Sequence, residues 1–316
     1  MSEATNAFLN DAVSRGHSLI PRVRGITREQ FRSEYETRGR PVILEGKVDG
    51  WPAAHWTPDV LKEKYGSVVC HASLDLPDGA SVGVHDWKSH TKWMPLAEFV
   101  DRMRSSTKPC YMQQVPKQLF GEIEKNFNFS ELTNLEGGNL FINIFLGTSN
   151  TNSSIHYDMP NNFLAQIYGT KQVFMFSPEQ RKNIPVFPDT LRMSPIDPYA
   201  PDYATYPTFR DARGTVGVIG PGDILFIPRV WWHQLRSVGE SISVNCWYGR
   251  EESIAYFLKI AAANRVKHFL VPFKDFVVLG LLQRPHTQRL FGDEPTGLWL
   301  FKQFAGAVKR RLHYQA

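Results

Sequence analysis

Short apolar segments separated by glycine and proline turns fill the stretch from residue 139 to residue 248, and this pattern constrains the fold most. The first segment, NLFINIFLG, places Phe141, Asn143 and Phe145 on one face of a predicted strand, because alternate residues of a strand share a face. Further predicted strands cover residues 154–158, 163–168, 171–177, 215–219, 223–228 and 241–248. Many short strands with such turns are typical of a β-sandwich or a β-barrel.

Helical patterns flank this β-rich stretch on both sides. Before it, the sequence predicts helices over 28–38, 57–66 and 94–105, with short strands at 41–46 and 110–115. After Gly249 it predicts helices over 251–270 and 296–312, whose apolar faces favour a homodimer. Within the β-rich stretch, residues 178–214 contain seven prolines and are predicted to form an irregular insertion that carries binding function.

Composition and cysteine use exclude several classes of protein. Of the 316 residues, 42% are hydrophobic and 21% are charged. This composition excludes a wholly disordered chain, a collagen-like chain and a coiled coil. The three cysteines, Cys70, Cys110 and Cys246, are distant and odd in number, which indicates a reducing compartment. The N-terminus lacks a secretory pattern, and the longest apolar run, 269–282, is interrupted by charge. We therefore expect a soluble, cytoplasmic protein that does not span a membrane.

The net charge of +5 comes entirely from the C-terminal fifth of the chain. Residues 251–316 contain ten Lys/Arg and five Asp/Glu, whereas the other 250 residues contain 26 of each sign. A basic segment of this kind is compatible with a nucleic-acid or membrane surface. It lacks the interleaved aromatic residues of a phosphate-tracking surface, so we expect a solvated helix face and no direct nucleic-acid binding.

Three side chains from two separate stretches form a candidate metal site. His156 and Asp158 stand two residues apart in IHYD, and on a strand they point to the same side. The stretch GPGDILFIPRVWWH predicts a type II turn at Pro221–Gly222 and a buried strand that delivers His233 to the same cavity. Two histidines and one carboxylate are the ligands of non-haem Fe(II) oxygenases, although zinc enzymes also use them.

Lys171 begins the otherwise apolar segment KQVFMF. A buried unpaired lysine costs free energy, so a buried position would indicate an anchor for a carboxylate ligand. A position at the strand edge in solvent explains the pattern equally well. The sequence leaves these two alternatives open.

The residues around these positions resemble those of the JmjC/cupin-like Fe(II)/2-oxoglutarate-dependent oxygenases. The shared segments are YMQQ (111–114), SxxHYD (153–158), NNFLAQIYGTK (161–171), PDYATYPTF (201–209), GPGDILFIPRVWWH (220–233) and ISVNCWY (242–248). Within the family they most resemble the branch containing the asparaginyl hydroxylase of hypoxia-inducible factor. The resemblance implies a mainly β fold, with a double-stranded β-helix or jelly-roll core at 21–250 between a lead-in (1–20) and a C-terminal helical segment (251–316).

The resemblance also implies roles for individual residues. His156, Asp158 and His233 would bind Fe(II) as the catalytic centre. The 2-oxoglutarate co-substrate would be held by residues that line its pocket or donate hydrogen bonds to it, namely Lys171, Tyr111, Ser153, Asn162, Asn245, Phe145 and Trp247. The implied reaction consumes O₂, hydroxylates an unactivated C–H bond of a protein or peptide side chain, and releases succinate and CO₂.

One departure from the asparaginyl hydroxylase concerns the substrate. That enzyme grips its target amide with an Arg-Gln pair, and the matching positions here are Arg192 and Met193. Methionine cannot pair with an amide as glutamine does, so the sequence does not predict asparagine specificity. Three alternatives remain open: oxidation of a small metabolite or biosynthetic peptide, a non-catalytic JmjC-like binding module, and a zinc-type hydrolase or isomerase.

Overall fold

Two β-sheets form the centre of the molecule. The computed structural model describes residues 3–77, 81–82, 89–133, 141–187, 192–249, 266–284 and 295–313. In chain order the strands are β1 (Ser18–Leu19), β2 (Arg22–Arg24), β3 (Val42–Glu45), β4 (Val69–Ser73), β5 (Ser81–Val82), β6 (Thr91–Pro95), β7 (Tyr111–Pro116), β8 (Phe141–Gly147), β9 (Asn152–Ser153), β10 (His156–Tyr157), β11 (Asn161–Tyr168), β12 (Lys171–Phe176), β13 (Thr215–Ile219), β14 (Ile224–Ile227), β15 (Trp232–Ser237) and β16 (Ser241–Tyr248).

The strands divide into a seven-stranded and a nine-stranded sheet. The smaller sheet has the order β1-β13-β12-β15-β9-β5, with β10 also paired to β15. The larger sheet has the order β2-β3-β14-β11-β16-β8-β7-β4-β6. The central pairs, such as β12 with β15 and β11 with β16, are antiparallel. This two-sheet architecture confirms the predicted mainly β, jelly-roll core.

Apolar side chains fill the space between the sheets and cover both outer faces. Between the sheets, Val173 and Met175 of β12 belong to one cluster with Leu164 and Ile227 of the larger sheet. On the outer face of the smaller sheet, Phe174 packs in a cluster that includes residues of the N-terminal helix and of the insertion. All six residues of β12 are therefore buried, because both faces of this strand are covered.

Helices flank the sheets at both ends of the chain. The α-helices are α1 (Glu3–Ser14), α2 (Arg28–Phe31), α3 (Pro58–Tyr65), α4 (Leu96–Ser105), α5 (Val266–Asp275) and α6 (Thr296–His313). Segments of π-helix follow α2 at Arg32–Glu36 and α5 at Phe276–Leu281. Short 3₁₀ helices cover Pro52–His55, Lys117–Phe120, Ile123–Asn126, Phe129–Glu131, Pro178–Lys182 and Pro207–Asp211. No helix within the described ranges has the length and apolar character needed to cross a bilayer.

Most predicted elements are present, with one local correction. Thr57 caps α3 as expected, because its hydroxyl accepts a hydrogen bond from the Val60 N–H. Residues 251–265 of the first predicted C-terminal helix lie outside the described residues. The predicted strand at 223–228 is present as β14, but it does not itself deliver His233 to the cavity. The chain turns after β14 through Val230, whose φ is 56°, and His233 lies on the separate strand β15.

Candidate active site

Two histidines face each other across neighbouring strands of the smaller sheet. His156 on β10 pairs directly with His233 on β15, and their ring centroids are 4.3 Å apart. Asp158 follows β10, and its Oδ2 lies 3.6 Å from Nε2 of His233. The three side chains each place a ligand atom within 4.8 Å of the others. Strand pairing thus brings together residues that are distant along the chain.

Backbone carbonyl groups fix the orientation of both imidazole rings. Nδ1 of His156 lies 2.8 Å from the carbonyl oxygen of Ser154, and Nδ1 of His233 lies 2.9 Å from that of Trp231. A carbonyl oxygen only accepts hydrogen bonds, so each Nδ1 carries the proton. The lone pair of each ring therefore lies on Nε2, the nitrogen available for binding a metal.

Burial keeps His233 in the form that binds a metal. Removal from water, and secondarily the nearby His156, lower the pKa of His233 from 6.5 to about 4, although Asp158 opposes this. The ring is therefore neutral at neutral pH. A neutral His233 makes no ion pair with Asp158, and their 3.6 Å separation fits two neighbouring ligands of one cation better.

Trp247 on β16 holds the carboxylate of the cluster. Its indole Nε1 donates a hydrogen bond of 2.9 Å to Oδ2 of Asp158. Trp247 pairs with Asn162 in the adjacent strand β11, so the larger sheet supplies this contact to a residue of the opposite layer. The family resemblance implied that Trp247 belongs to the co-substrate pocket, and the structure adds a hydrogen bond that orients Asp158.

Lys171 is buried in the same pocket. Lys171 is only 4% exposed, which excludes the alternative that it lies at a strand edge in solvent. Desolvation lowers the pKa of Lys171 from 10.5 to about 8. Its Nζ lies 5.5 Å from the centre of the Tyr111 ring, and no acidic side chain among the described residues forms an ion pair with it. Within the described part of the chain, the pocket thus contains a buried lysine that forms no ion pair, although Asp158 also lines the pocket.

Polar groups from the larger sheet complete the pocket. Burial raises the pKa of the Tyr111 hydroxyl, so this group stays a neutral hydrogen-bond donor at neutral pH. Asn162 is 4% exposed, and its Oδ1 has no hydrogen-bond partner. The lining residues are Tyr111, Gln113, Gln114, Phe145, Ser153, His156, Asp158, Asn162, Leu164, Lys171, Ile227, His233, Leu235, Asn245 and Trp247. All predicted metal and co-substrate residues therefore surround one pocket.

The two residues predicted for substrate contact lie beside the pocket and do not line it. Met193 forms an isolated antiparallel bridge with His156, and it is 6% exposed. The carbonyl oxygen of Arg192 accepts a hydrogen bond of 3.2 Å from the Tyr157 N–H. This segment of the insertion consequently runs along β10, next to the metal-site strand.

Among the lining residues that were not assigned to the site from the sequence, two are polar. Gln113 and Gln114 reach the pocket because β7 has a register irregularity between Met112 and Val115, where Gln114 adopts a φ of 52°. A bulge of this kind redirects side chains that strict alternation would place elsewhere. Two adjacent polar residues in a predicted strand were the available signal for this bulge.

The donor set fits a divalent metal together with an anionic ligand. Two imidazole nitrogens and one carboxylate on one side suit Fe(II) and leave other positions open. Lys171 marks a buried position that no acidic side chain among the described residues satisfies. A small molecule that carries carboxylates and binds a metal would satisfy the lysine and the open metal positions together.

Comparisons with known proteins identify a matching family model and several relatives. The family model described as the cupin-like domain matches residues 28–254. The chain is 31% identical over 245 residues to lysine-specific demethylase 8 of Danio rerio, covering 72% of this chain and 58% of that protein. It is 26% identical to the lysine-specific demethylase JMJ30 of Arabidopsis thaliana over 72% of this chain and 54% of that protein.

A third relative is covered more completely. The chain is 28% identical over 263 residues to the tRNA wybutosine-synthesizing protein 5 of Homo sapiens, covering 76% of this chain and 81% of that protein. In contrast, the chain spans a little over half of the length of the two demethylases.

Proposed function

Because the chain belongs to the cupin-like JmjC family, whose members are oxidative enzymes of the Fe(II)/2-oxoglutarate type, we propose that it is an Fe(II)- and 2-oxoglutarate-dependent dioxygenase. One observation carries the proposal: the cluster of His156, Asp158 and His233 shares a pocket with the buried Lys171, which has no acidic partner among the described residues. A metal site alone would not need this cation. A metal-binding dicarboxylate would use both.

The proposed division of roles follows the chemistry of each side chain. His156, Asp158 and His233 would hold the iron, and the bound iron would supply the chemistry with O₂. Lys171, with the hydroxyls of Tyr111 and Ser153, pairs with the distal carboxylate of 2-oxoglutarate. The amides of Asn162 and Asn245 donate to the carboxylate nearer the metal, while Phe145 packs against the co-substrate and Trp247 fixes Asp158.

We propose hydroxylation of an unactivated C–H bond in a protein or peptide side chain, with release of succinate and CO₂. Arg192 and Met193 would flank the substrate, because the bridge places Met193 beside His156. A thioether offers no donor for an amide, so the proposal does not specify asparagine. A small metabolite or a biosynthetic peptide is the second candidate substrate class, and tRNA is tested beside them because one relative is named for tRNA wybutosine synthesis.

Anaerobic spectroscopy tests the co-substrate assignment. Adding Fe(II) and then 2-oxoglutarate to the metal-free protein should produce a visible charge-transfer band, because the keto acid chelates the iron. The His156→Ala variant, which lacks one of the ligands of the cluster, should give no band. A wild-type protein without the band would contradict the proposal and favour a non-catalytic binding module. Preferential retention of zinc in metal analysis would favour a hydrolase or isomerase.

A substrate screen by mass spectrometry tests the reaction. Peptides, proteins, tRNA and small metabolites are incubated with the enzyme, Fe(II) and O₂, with and without 2-oxoglutarate. The expected product gains one oxygen atom only when 2-oxoglutarate is present, and succinate forms in equal amount. Loss of a methyl group as formaldehyde would instead indicate demethylation.

A further inference from the structure

Asn143 on β8 and Asn245 on β16 form a buried pair of amides behind the pocket. The two residues are directly opposite each other in the antiparallel strand pair, and they are 7% and 1% exposed. Oδ1 of Asn245 accepts two hydrogen bonds of 3.2 Å, one from the backbone N–H of Asn143 and one from its side-chain Nδ2. Asn245 lines the pocket, whereas Asn143 is not among the lining residues.

These two hydrogen bonds determine which end of the Asn245 amide faces the pocket. A backbone N–H only donates, so the atom of Asn245 next to it must be the oxygen. The side chain of Asn143 then donates to the same oxygen. With Oδ1 engaged on the β8 side, the Nδ2 group, a double donor, is left for the pocket.

We propose that Asn143 is a positioning residue, which fixes the amide of Asn245 so that Nδ2 donates to a carboxylate of the bound keto acid. The inference rests on the proposed function, because it assigns a direction to a co-substrate contact. A carboxylate only accepts hydrogen bonds, so a reversed amide would present oxygen to oxygen and weaken binding. The fixed orientation means that no amide rotation precedes binding, and it favours an anionic ligand over one that presents donors.

A double-mutant cycle tests whether Asn143 acts through Asn245. Asn143→Asp preserves the shape of the side chain but replaces its donor by an acceptor. The backbone N–H of residue 143 still donates to Oδ1 of Asn245, and the new carboxylate competes with it by attracting Nδ2 of Asn245 away from the pocket. Asn245→Leu removes the amide altogether. The dissociation constant of 2-oxoglutarate is measured by calorimetry without O₂, on the Mn(II)-loaded full-length protein, for wild type, both single variants and the double variant.

We expect Asn143→Asp to weaken 2-oxoglutarate binding more than tenfold in the wild-type background. In the Asn245→Leu background the same change should weaken it about threefold or less, because only the direct repulsion of the added charge remains there. Mn(II) affinity should stay within about twofold in both backgrounds, since Asn143 and Asn245 are not among the clustered ligand residues.

Equal losses in the two backgrounds would overturn the inference while leaving the proposed function intact. A wild-type protein that does not bind 2-oxoglutarate would overturn the proposed function, and the inference with it. Should Asn143→Asp fail to fold, Asn143→Leu removes the side-chain donor without adding charge. Asn143→Leu should weaken 2-oxoglutarate binding at least threefold in the wild-type background and have no effect in the Asn245→Leu background. Equal effects in the two backgrounds would again contradict the inference.

Discussion

Replacing Lys171 by methionine should stabilise the protein while destroying co-substrate binding. Burial lowers the pKa of Lys171 from 10.5 to about 8, which corresponds to about 3 kcal/mol of penalty on the charged side chain. Methionine has a similar length and carries no charge, so it removes this penalty. We expect the free energy of unfolding of the metal-free protein at pH 7 to rise by about 1–3 kcal/mol, with the upper end set by that penalty.

The pH dependence of the difference in unfolding free energy between Lys171→Met and the wild type identifies the cause of that difference. Because the pKa of Lys171 is lower in the folded than in the unfolded chain, the penalty is complete below pH 8 and fades as the pH rises from 8 to 10.5. The stability advantage of Lys171→Met should therefore shrink over that range. Urea unfolding of both proteins at pH 7, 8, 9 and 10 measures it.

A matched control separates this effect from a general benefit of methionine. Lys92 lies on β6 and is exposed, so Lys92→Met should change the free energy of unfolding by no more than about 0.5 kcal/mol. In addition, 2-oxoglutarate with Mn(II) should stabilise the wild type but not Lys171→Met beyond the effect of Mn(II) alone. A less stable Lys171→Met protein, or an advantage independent of pH, would refute the reasoning.

Four further predictions concern other parts of the molecule. His156→Ala should abolish succinate production, and turnover above background would contradict its role as a ligand. Trp247→Phe, which removes the donor to Asp158, should weaken metal binding about tenfold in a competition titration, and unchanged affinity would make the hydrogen bond unimportant. Burial lowers the pKa of His17 to about 4, so stability should fall as the pH drops from 6.5 towards 4. His17→Gln should flatten that profile, and an equally steep profile would exclude His17 as the cause. Phe273, 60% exposed on α5, is one of five large apolar side chains exposed by more than half among the described residues of the C-terminal segment. Light scattering after size-exclusion chromatography should therefore show a homodimer that Phe273→Glu dissociates, and a wild-type monomer would refute the association.

The sequence predicts much of the fold because local patterns coincide with the strands. Alternation in KQVFMF places Lys171, Val173 and Met175 on one face of β12, although the sequence left open whether Lys171 is buried. The strand β15 could not be predicted in the same way. Its outward residues Gln234 and Arg236 are polar, a pattern that is typical of a loop. In the structure Gln234 donates a hydrogen bond to Asp197 of the insertion, and Arg236 donates one to Gln172 of β12.

The candidate site divides similarly into local and non-local features. The spacing of His156 and Asp158 gives their common direction from the sequence alone, because residues two apart on an extended chain share a side. The hydrogen bond from Trp247 to Asp158 depends on how the two sheets face each other, and no local pattern contains that information. The same is true of the bulge that brings Gln114 to the pocket, because a single irregular residue changes the register.

The pocket residues come from both layers of the β-core. Lys171 and the paired histidines belong to the smaller sheet, whereas Asn162 and Asn245 belong to the larger one. A keto acid that contacts all of them would act as a non-covalent cross-link between the layers. Binding of that keto acid would then slow amide hydrogen exchange in both sheets at once.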